Sequence, residues 1–238
     1  MIEEAWHAAD TFPPATMRLH DLALGPNGTL VDSLLADRIM PDGADDYRVD
    51  HALGTGISTR YERIAGQAVE EYYPDWNGRD AAMACWTSDP HDYPTELTGA
   101  AVADLWLTAD TPDAAIVVYL EDVAPDGTTR YITEGALRAS CRAVTAPPAD
   151  HPHQTPYHPC TAEGQQHLRP NEPARLQISF HPTSWLLRPG HSVRLALSGG
   201  DRDHLARVPF GRSPSLRILR SAVHRSVLRL PLVPRLPA

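Results

Sequence analysis

The chain has no lysine. Every one of its 21 basic residues is arginine, which, beside the richness in alanine and proline, reads as the codon bias of a GC-rich genome and carries no mechanism. Set against 30 acidic residues, the arginines leave a net charge of -9. That balance repels phosphate backbones, and nucleic-acid binding needs clustered cations that release counterions. The Arg-rich stretch from Arg202 to Arg235 is the local exception, but its arginines alternate with Leu and Val and read as the outer faces of strands. No nucleic-acid partner is expected.

Cysteine is scarce as well. Cys85, Cys141 and Cys160 have neither the even count nor the density of a disulfide-stapled secreted domain, so a reducing cytoplasm is expected. No apolar run is long enough to span a bilayer, and Met1-Ile2-Glu3-Glu4 places acids where a signal peptide has its basic region. A soluble protein without a membrane partner follows.

The pentapeptide Gly-x-Ser-x-Gly, which presents the nucleophile of an α/β-hydrolase on a strained turn, is missing too. Ser58, Ser192 and Ser213 each follow a glycine by two positions, but Arg60, Arg194 and Ser215 stand where the second glycine belongs. They read as loop or strand-start residues. A triad is defined by geometry, so an unfamiliar Ser-His-Asp grouping stays open as an alternative. The sequence nominates no catalytic, cofactor or metal residue.

Three other clusters carry residue types that could bind a ligand. His151, His153, His158 and His167 surround Cys160, and imidazole and thiolate bind transition metals, but the spacing is irregular and prolines extend the segment; a solvated loop is expected. Asp42, Asp45, Asp46 and Asp50 sit close together without the spacing of an EF-hand, and read as solvated turn residues in preference to a calcium site. Trp76, Trp86, Trp106 and Trp185 could stack on sugars, which motivates the alternative of a carbohydrate-binding module, although Trp106 and Trp185 lie in strand patterns that favour the core.

What the sequence does contain is β structure. Hydrophobic residues make up 42% and prolines number 23, a mixture that favours short strands and rigid connections. Strands are expected at Met17 to Leu24, Ala82 to Trp86, Ala101 to Leu107, Ala115 to Val123, Thr129 to Arg138, Ala174 to Phe180, Ser184 to Leu187, Ser192 to Leu197, Ser215 to Arg220 and Ser226 to Val233. Pro26-Asn27-Gly28, Pro125-Asp126-Gly127 and Arg188-Pro189-Gly190 supply the turns. Residues 41 to 80 read as a long ordered excursion, and 144 to 170, rich in Pro and His, as a surface loop that cannot be a core element. The fold expected is a single all-β jelly-roll sandwich with long irregular loops, with residues 1 to 16 as a lead-in.

Several motifs, in order, carry a resemblance. Leu97-Thr98-Gly99, Asp104-Leu105-Trp106-Leu107, Val118-Tyr119-Leu120-Glu121-Asp122-Val123, Thr133-Glu134-Gly135-Ala136-Leu137-Arg138, His181-Pro182-Thr183-Ser184 and Arg188-Pro189-Gly190-His191-Ser192-Val193-Arg194-Leu195 resemble the C-terminal domain of the cocaine esterase and X-Pro dipeptidyl peptidase family. The similarity runs from Thr55-Gly56 and Thr59-Arg60 through Trp86-Thr87-Ser88 to Leu230-Pro231-Leu232-Val233. It implies a noncatalytic, galactose-binding-like jelly roll packed on a preceding α/β-hydrolase domain, the partner that holds the catalytic residues and that this chain lacks. Ser198-Gly199-Gly200-Asp201 and the His-rich loop depart from the family's wording. His191, at a turn-to-strand junction, is expected to hydrogen-bond a neighbouring carbonyl or carboxylate in preference to transferring a proton. A bare domain would expose an apolar patch, so a partner or a homo-oligomer is expected.

Overall fold

The computed structural model describes residues 8–61, 72–149, 151 and 155–234. Thirteen strands form one hydrogen-bonded network: β1 (Arg18–Leu24), β2 (Thr29–Asp32), β3 (Gly43–Arg48), β4 (Ala84–Ser88), β5 (Thr95–Gly99), β6 (Val102–Ala109), β7 (Ala115–Val123), β8 (Thr129–Arg138), β9 (Ala174–Ser179), β10 (Thr183–Leu187), β11 (Ser192–Ser198), β12 (Ser215–Arg220) and β13 (Val227–Pro234). The helix α1 (Ser33–Ile39) follows β2, and Asp32 caps it by accepting the Leu34 amide at 2.8 Å, the role short acidic side chains play at helix starts.

The register sorts the strands into two layers. In the first, pairs of consecutive strands act as single long strands with an interruption. β9 and β10 lie antiparallel along β6 and β5, with Ser179 opposite Val102 and Thr183 opposite Gly99. β12 and β13 lie along the other side of β6 and β5, from Leu216 opposite Ala109 to Pro234 opposite Thr95. β3 pairs with β12, and β1 with β13. The second layer runs β2, β4, β11, β7, β8.

At the interruption between β12 and β13 the chain leaves after Arg220 and returns at Ser226. The buried Ser226 hydroxyl accepts the Trp106 amide at 2.9 Å and lies 2.8 Å from Leu219 O, so a side chain supplies the ladder bond that the interruption removes. Where the layers meet at the other edge, His181 N donates to Glu134 O at 2.9 Å and Thr133 Oγ1 to His181 O at 2.8 Å. The approach requires glycine at 135, because a Cβ there would collide with Ser179 O.

Between the layers lies the main core. Leu105 and Leu107 of β6, Leu176 and Ile178 of β9, and Ile218 of β12 meet Ile116, Val118 and Leu120 of β7 and Leu195 and Leu197 of β11. This is a β-sandwich, and most strands fall within a residue or two of where the sequence puts them. The 144 to 170 segment needs a correction: Leu168 is buried in this core and its amide donates to Pro112 O at 2.7 Å, so the loop is pinned by one apolar residue. Among the described residues no helix is long and apolar enough to cross a membrane.

Candidate functional site

β7 is apolar on both faces, and a strand of that kind must be covered on both. Its outward residues Val117 and Tyr119 pack with Tyr72, Tyr73, Trp76, Met83 and Ala196 in a second cluster. Residues 72–83 thus form a lid over the outer face of the second layer. The aromatic rings interlock, with Tyr73 and Tyr131 centroids 4.3 Å apart and Trp76 and Tyr119 4.9 Å apart.

Beneath this lid lies a network of charges. Glu121 and Glu134, 0% and 1% exposed, point outward from β7 and β8. The Trp76 indole N–H donates to Glu121 Oε1 at 2.9 Å, while Arg194 pairs with Asp80 and stands 4.0 Å from Glu121 Oε2. Glu134 accepts the Tyr73 hydroxyl at 2.6 Å and pairs with Arg60 at 3.2 Å, and Arg60 also donates to the Tyr131 hydroxyl at 3.1 Å. Asp201 accepts from the Thr55 hydroxyl and from the Asp203 amide at 2.9 Å. The acids Asp80, Glu121, Glu134 and Asp201 therefore outnumber the arginines Arg60 and Arg194.

Burial in low dielectric disfavours the charged form of an acid. Burial, and then the Asp80 charge, push the Glu121 carboxyl up to about 8, so it is largely neutral at pH 7 and relieves the excess of negative charge. Burial and the Glu134 charge push the Tyr73 phenol upward, and burial also raises Glu134 itself. At the rim Tyr61 stacks on His204 with centroids 5.1 Å apart, and Ile57 is exposed. The network holds no activated nucleophile. Its chemistry is to fix the lid and the 53–61 and 199–205 segments on the sheet.

His191 is where the sequence reading places it, bonded to a carboxylate. Its Nδ1 lies 2.7 Å from Asp122 Oδ1, and Trp185 Nε1 donates to Asp122 Oδ2 at 3.0 Å. Ser58 lies in a turn whose carbonyl accepts the Tyr73 amide, Ser192 opens β11, and Ser213 lies in the loop before β12. Three other histidine rings bond elsewhere: His51 to the Arg212 carbonyl, His158 to the carbonyls of Ala143 and Gln177, and His204 to the Gly56 carbonyl and the Thr59 hydroxyl.

The remaining clusters are dispersed. His151 packs edge-on against Tyr157, with centroids 5.5 Å apart, His158 bridges two backbone carbonyls, His167 is exposed, and His153 lies outside the described residues. Asp45 and Asp46 prove to be part of β3: Asp45 accepts from Trp86 Nε1 and Arg220 Nε, each at 2.9 Å, and Asp46 faces Arg217. Asp42 accepts the Ala222 amide and Asp50 the Ala52 amide. Among the described residues no group of three or more His, Cys, Asp or Glu is arranged to hold a metal ion. For the tryptophans the expectation holds only in part. Trp76 and Trp86 are buried, while Trp106 is half-buried on the outer face of β6, 4.7 Å from the His224 ring, and Trp185 is half-buried at the edge of the core.

A signal for Glu121 is present in the sequence, since a carboxyl within a strand apolar on both faces must be paired or protonated; Glu134, in the mixed strand β8, carries no such signal.

Comparison with known proteins gives a consistent result. The family model described as the X-Pro dipeptidyl-peptidase C-terminal non-catalytic domain matches residues 1–226. Two relatives, from Mycobacterium bovis and Mycobacterium tuberculosis, whose names carry the words serine esterase, are each 39% identical over 98% of this chain. The chain spans 36% of the length of those relatives. A crystal structure of an aminopeptidase from a marine sediment Thaumarchaeota archaeon is similar over 98% of this chain and 39% of its own, with a TM-score of 0.70 and 21% identity. A CocE/NonD family hydrolase from Staphylococcus aureus is similar over 97% of this chain and 39% of its own, with a TM-score of 0.69 and 16% identity.

Proposed function

Since the chain belongs to the X-Pro dipeptidyl-peptidase C-terminal non-catalytic domain family, we propose that it acts as the accessory sandwich of a serine hydrolase that cleaves acyl esters or peptides after proline. Residues 1–238 work as one domain in this reading. An α/β-hydrolase domain supplies serine, aspartate and histidine, within one polypeptide in the longer relatives and from the same or a separate chain here. The sandwich completes or shields that domain's cleft.

The observation that carries the reading is the closed state of the polar network. Under the lid Arg60 pairs with Glu134 and Arg194 with Asp80, Glu121 accepts from Trp76 and Asp201 from Thr55, and His191 is bonded to Asp122, so in this reading these titratable groups serve architecture. The surface offers apolar material for a partner: Phe12 and Leu19, 51% and 59% exposed, line a shallow groove with Pro13, Met17 and Pro231. Exposed apolar clusters mark interaction surfaces. A reducing cytoplasm is the setting we propose, in keeping with three free thiols.

Turnover of p-nitrophenyl esters and of Ala-Pro-p-nitroanilide tests the proposal, together with labelling by a serine-directed fluorophosphonate. The purified chain should be inert in all three. Labelling of this chain would overturn the reading. Light scattering is expected to show self-association or, with a hydrolase domain present, a complex.

A further inference from the structure

Cys141 and Cys160 are distant in the sequence and adjacent in the fold. Cys141 ends the single 3-10 turn after β8 and packs, half-buried, against the core. Cys160 is exposed in the Pro- and His-rich loop, with φ at +49°.

The arms that carry the two residues run side by side. Thr145 and Tyr157 form an antiparallel bridge in which the Thr145 amide donates to Tyr157 O at 3.1 Å. His158 Nδ1 lies 3.1 Å from Ala143 O. On the far side Gln166 N donates to Ser140 O at 2.8 Å, so Cys141 and Cys160 both lie between two contacts that join the same pair of segments. The Cys141 thiol is close enough to that of Cys160 to raise its pKa, which places the two sulfurs near one another at this seam.

We propose that Cys141 and Cys160 form a reversible intrachain disulfide that staples the base of the 144–170 loop to the end of β8. The oxidant is a low-molecular-weight disulfide of the glutathione type. Cys160, the accessible thiol, loses its proton to solvent and attacks one sulfur of that disulfide; a mixed disulfide forms and one small thiolate leaves. Cys141, deprotonated in turn, attacks the Cys160 sulfur and expels the second small thiolate. Two electrons pass from the protein thiols to the small disulfide, and the two departing thiolates take up the two protons. Excess small thiol reverses the exchange.

Burial, and then the neighbouring Cys141 thiol, push Cys160 above its ordinary value. Closure therefore quickens at mildly alkaline pH, where the thiolate fraction rises. The staple has a structural consequence next door. Arg142 and Val144 form one wall of a groove of about 430 Å3, with Arg175 and Gln177 of β9 on the other. Oxidation ties the first wall to the loop and so couples the shape of the groove to the thiol poise of its surroundings.

Cys85 supplies an internal control. It stands apart on β4, its thiol pushed up to about 12 by burial and then by Glu121 and Asp80. The chain is incubated with oxidised glutathione at mildly alkaline pH, quenched in acid, unfolded, alkylated with N-ethylmaleimide and read by intact mass and peptide mapping. The expected product carries one maleimide, on Cys85, and one peptide pair linked through Cys141 and Cys160. Reduced glutathione should restore labelling at all three cysteines. Cys141→Ser should trap glutathione on Cys160, and Cys160→Ser, a change at an exposed position, should abolish the link without harm to the fold. Full labelling after oxidation, a glutathione adduct that persists on Cys160 in the unaltered chain, or a disulfide between two chains would overturn the proposal.

Discussion

Trp76 donates its indole N–H to Glu121 at 2.9 Å, so a lid with no long strand of its own is fastened to the sheet through a carboxyl that has no exposed surface. That carboxyl is pushed up to about 8 from an ordinary value of 4.5. Between those values the folded chain holds a proton that the unfolded chain lacks. The stability from this group is complete below the lower value and is lost as pH rises through the upper one, by at most ~1.4 kcal/mol per pH unit. Glu134, raised in the same direction, adds a slope of the same sign. Glu121→Gln keeps the acceptor for Trp76 and never ionises, so urea unfolding across that window should show a shallower decline than in the unaltered chain. Identical slopes would contradict this account.

Removal of single partners around Glu134 should rank by what each leaves behind. Tyr73→Phe keeps the ring packing and removes one hydrogen bond to a buried carboxyl, a loss of about 1.5–3 kcal/mol. Glu134→Ala strands both the Arg60 guanidinium and the Tyr73 hydroxyl and should cost about 3–5 kcal/mol. Denaturant midpoints of the two variants check the order.

Ser226→Ala deletes the hydroxyl that bridges the interruption between β12 and β13. The Trp106 amide then lacks its partner at 2.9 Å, and the expected loss is about 1–3 kcal/mol. Amide exchange should pick out Trp106 as newly labile. Unchanged protection there would show that the interruption holds itself.

Gly135→Ala forces a methyl group against Ser179 O. The layers can relieve this only by opening the seam where His181 N meets Glu134 O, at a cost of about 1–3 kcal/mol. Thermal unfolding should report the loss, and exchange at His181 should rise with it.

Much of this architecture was legible in the sequence. β7 and β8 fall at Ala115–Val123 and Thr129–Arg138, the spans that Pro125-Asp126-Gly127 and the apolar alternation indicate, and Gly127 takes the positive φ of +85° that its turn needs. β3 was not legible. Its residues Gly43-Ala44-Asp45-Asp46-Tyr47-Arg48 offer no apolar face, and they become a strand because β12 lends a ladder and Arg220 and Trp86 absorb Asp45. β5 was missed because it continues β6 around a bend at Gly99 to Ala101. The lid stayed hidden for a different reason. Its aromatic residues follow no period, and only the burial of Tyr119 and Glu121 on the far side of β7 shows what they cover.

One pairing also sets an order of events during synthesis. Arg18 to Asp21, the first half of β1, bonds to Arg229 through Leu232 of β13, near the far end of the chain. As the polypeptide emerges from the ribosome, these early residues have no ladder to join until β13 has been made. The second layer, whose β7 and β8 are joined by a short turn, can assemble first, while the first layer remains an open edge. Contacts so distant in sequence form slowly, and an exposed edge in the interval invites pairing with other chains. The sandwich is therefore most exposed to misassembly before β13 is in place, when a single late strand decides whether it closes.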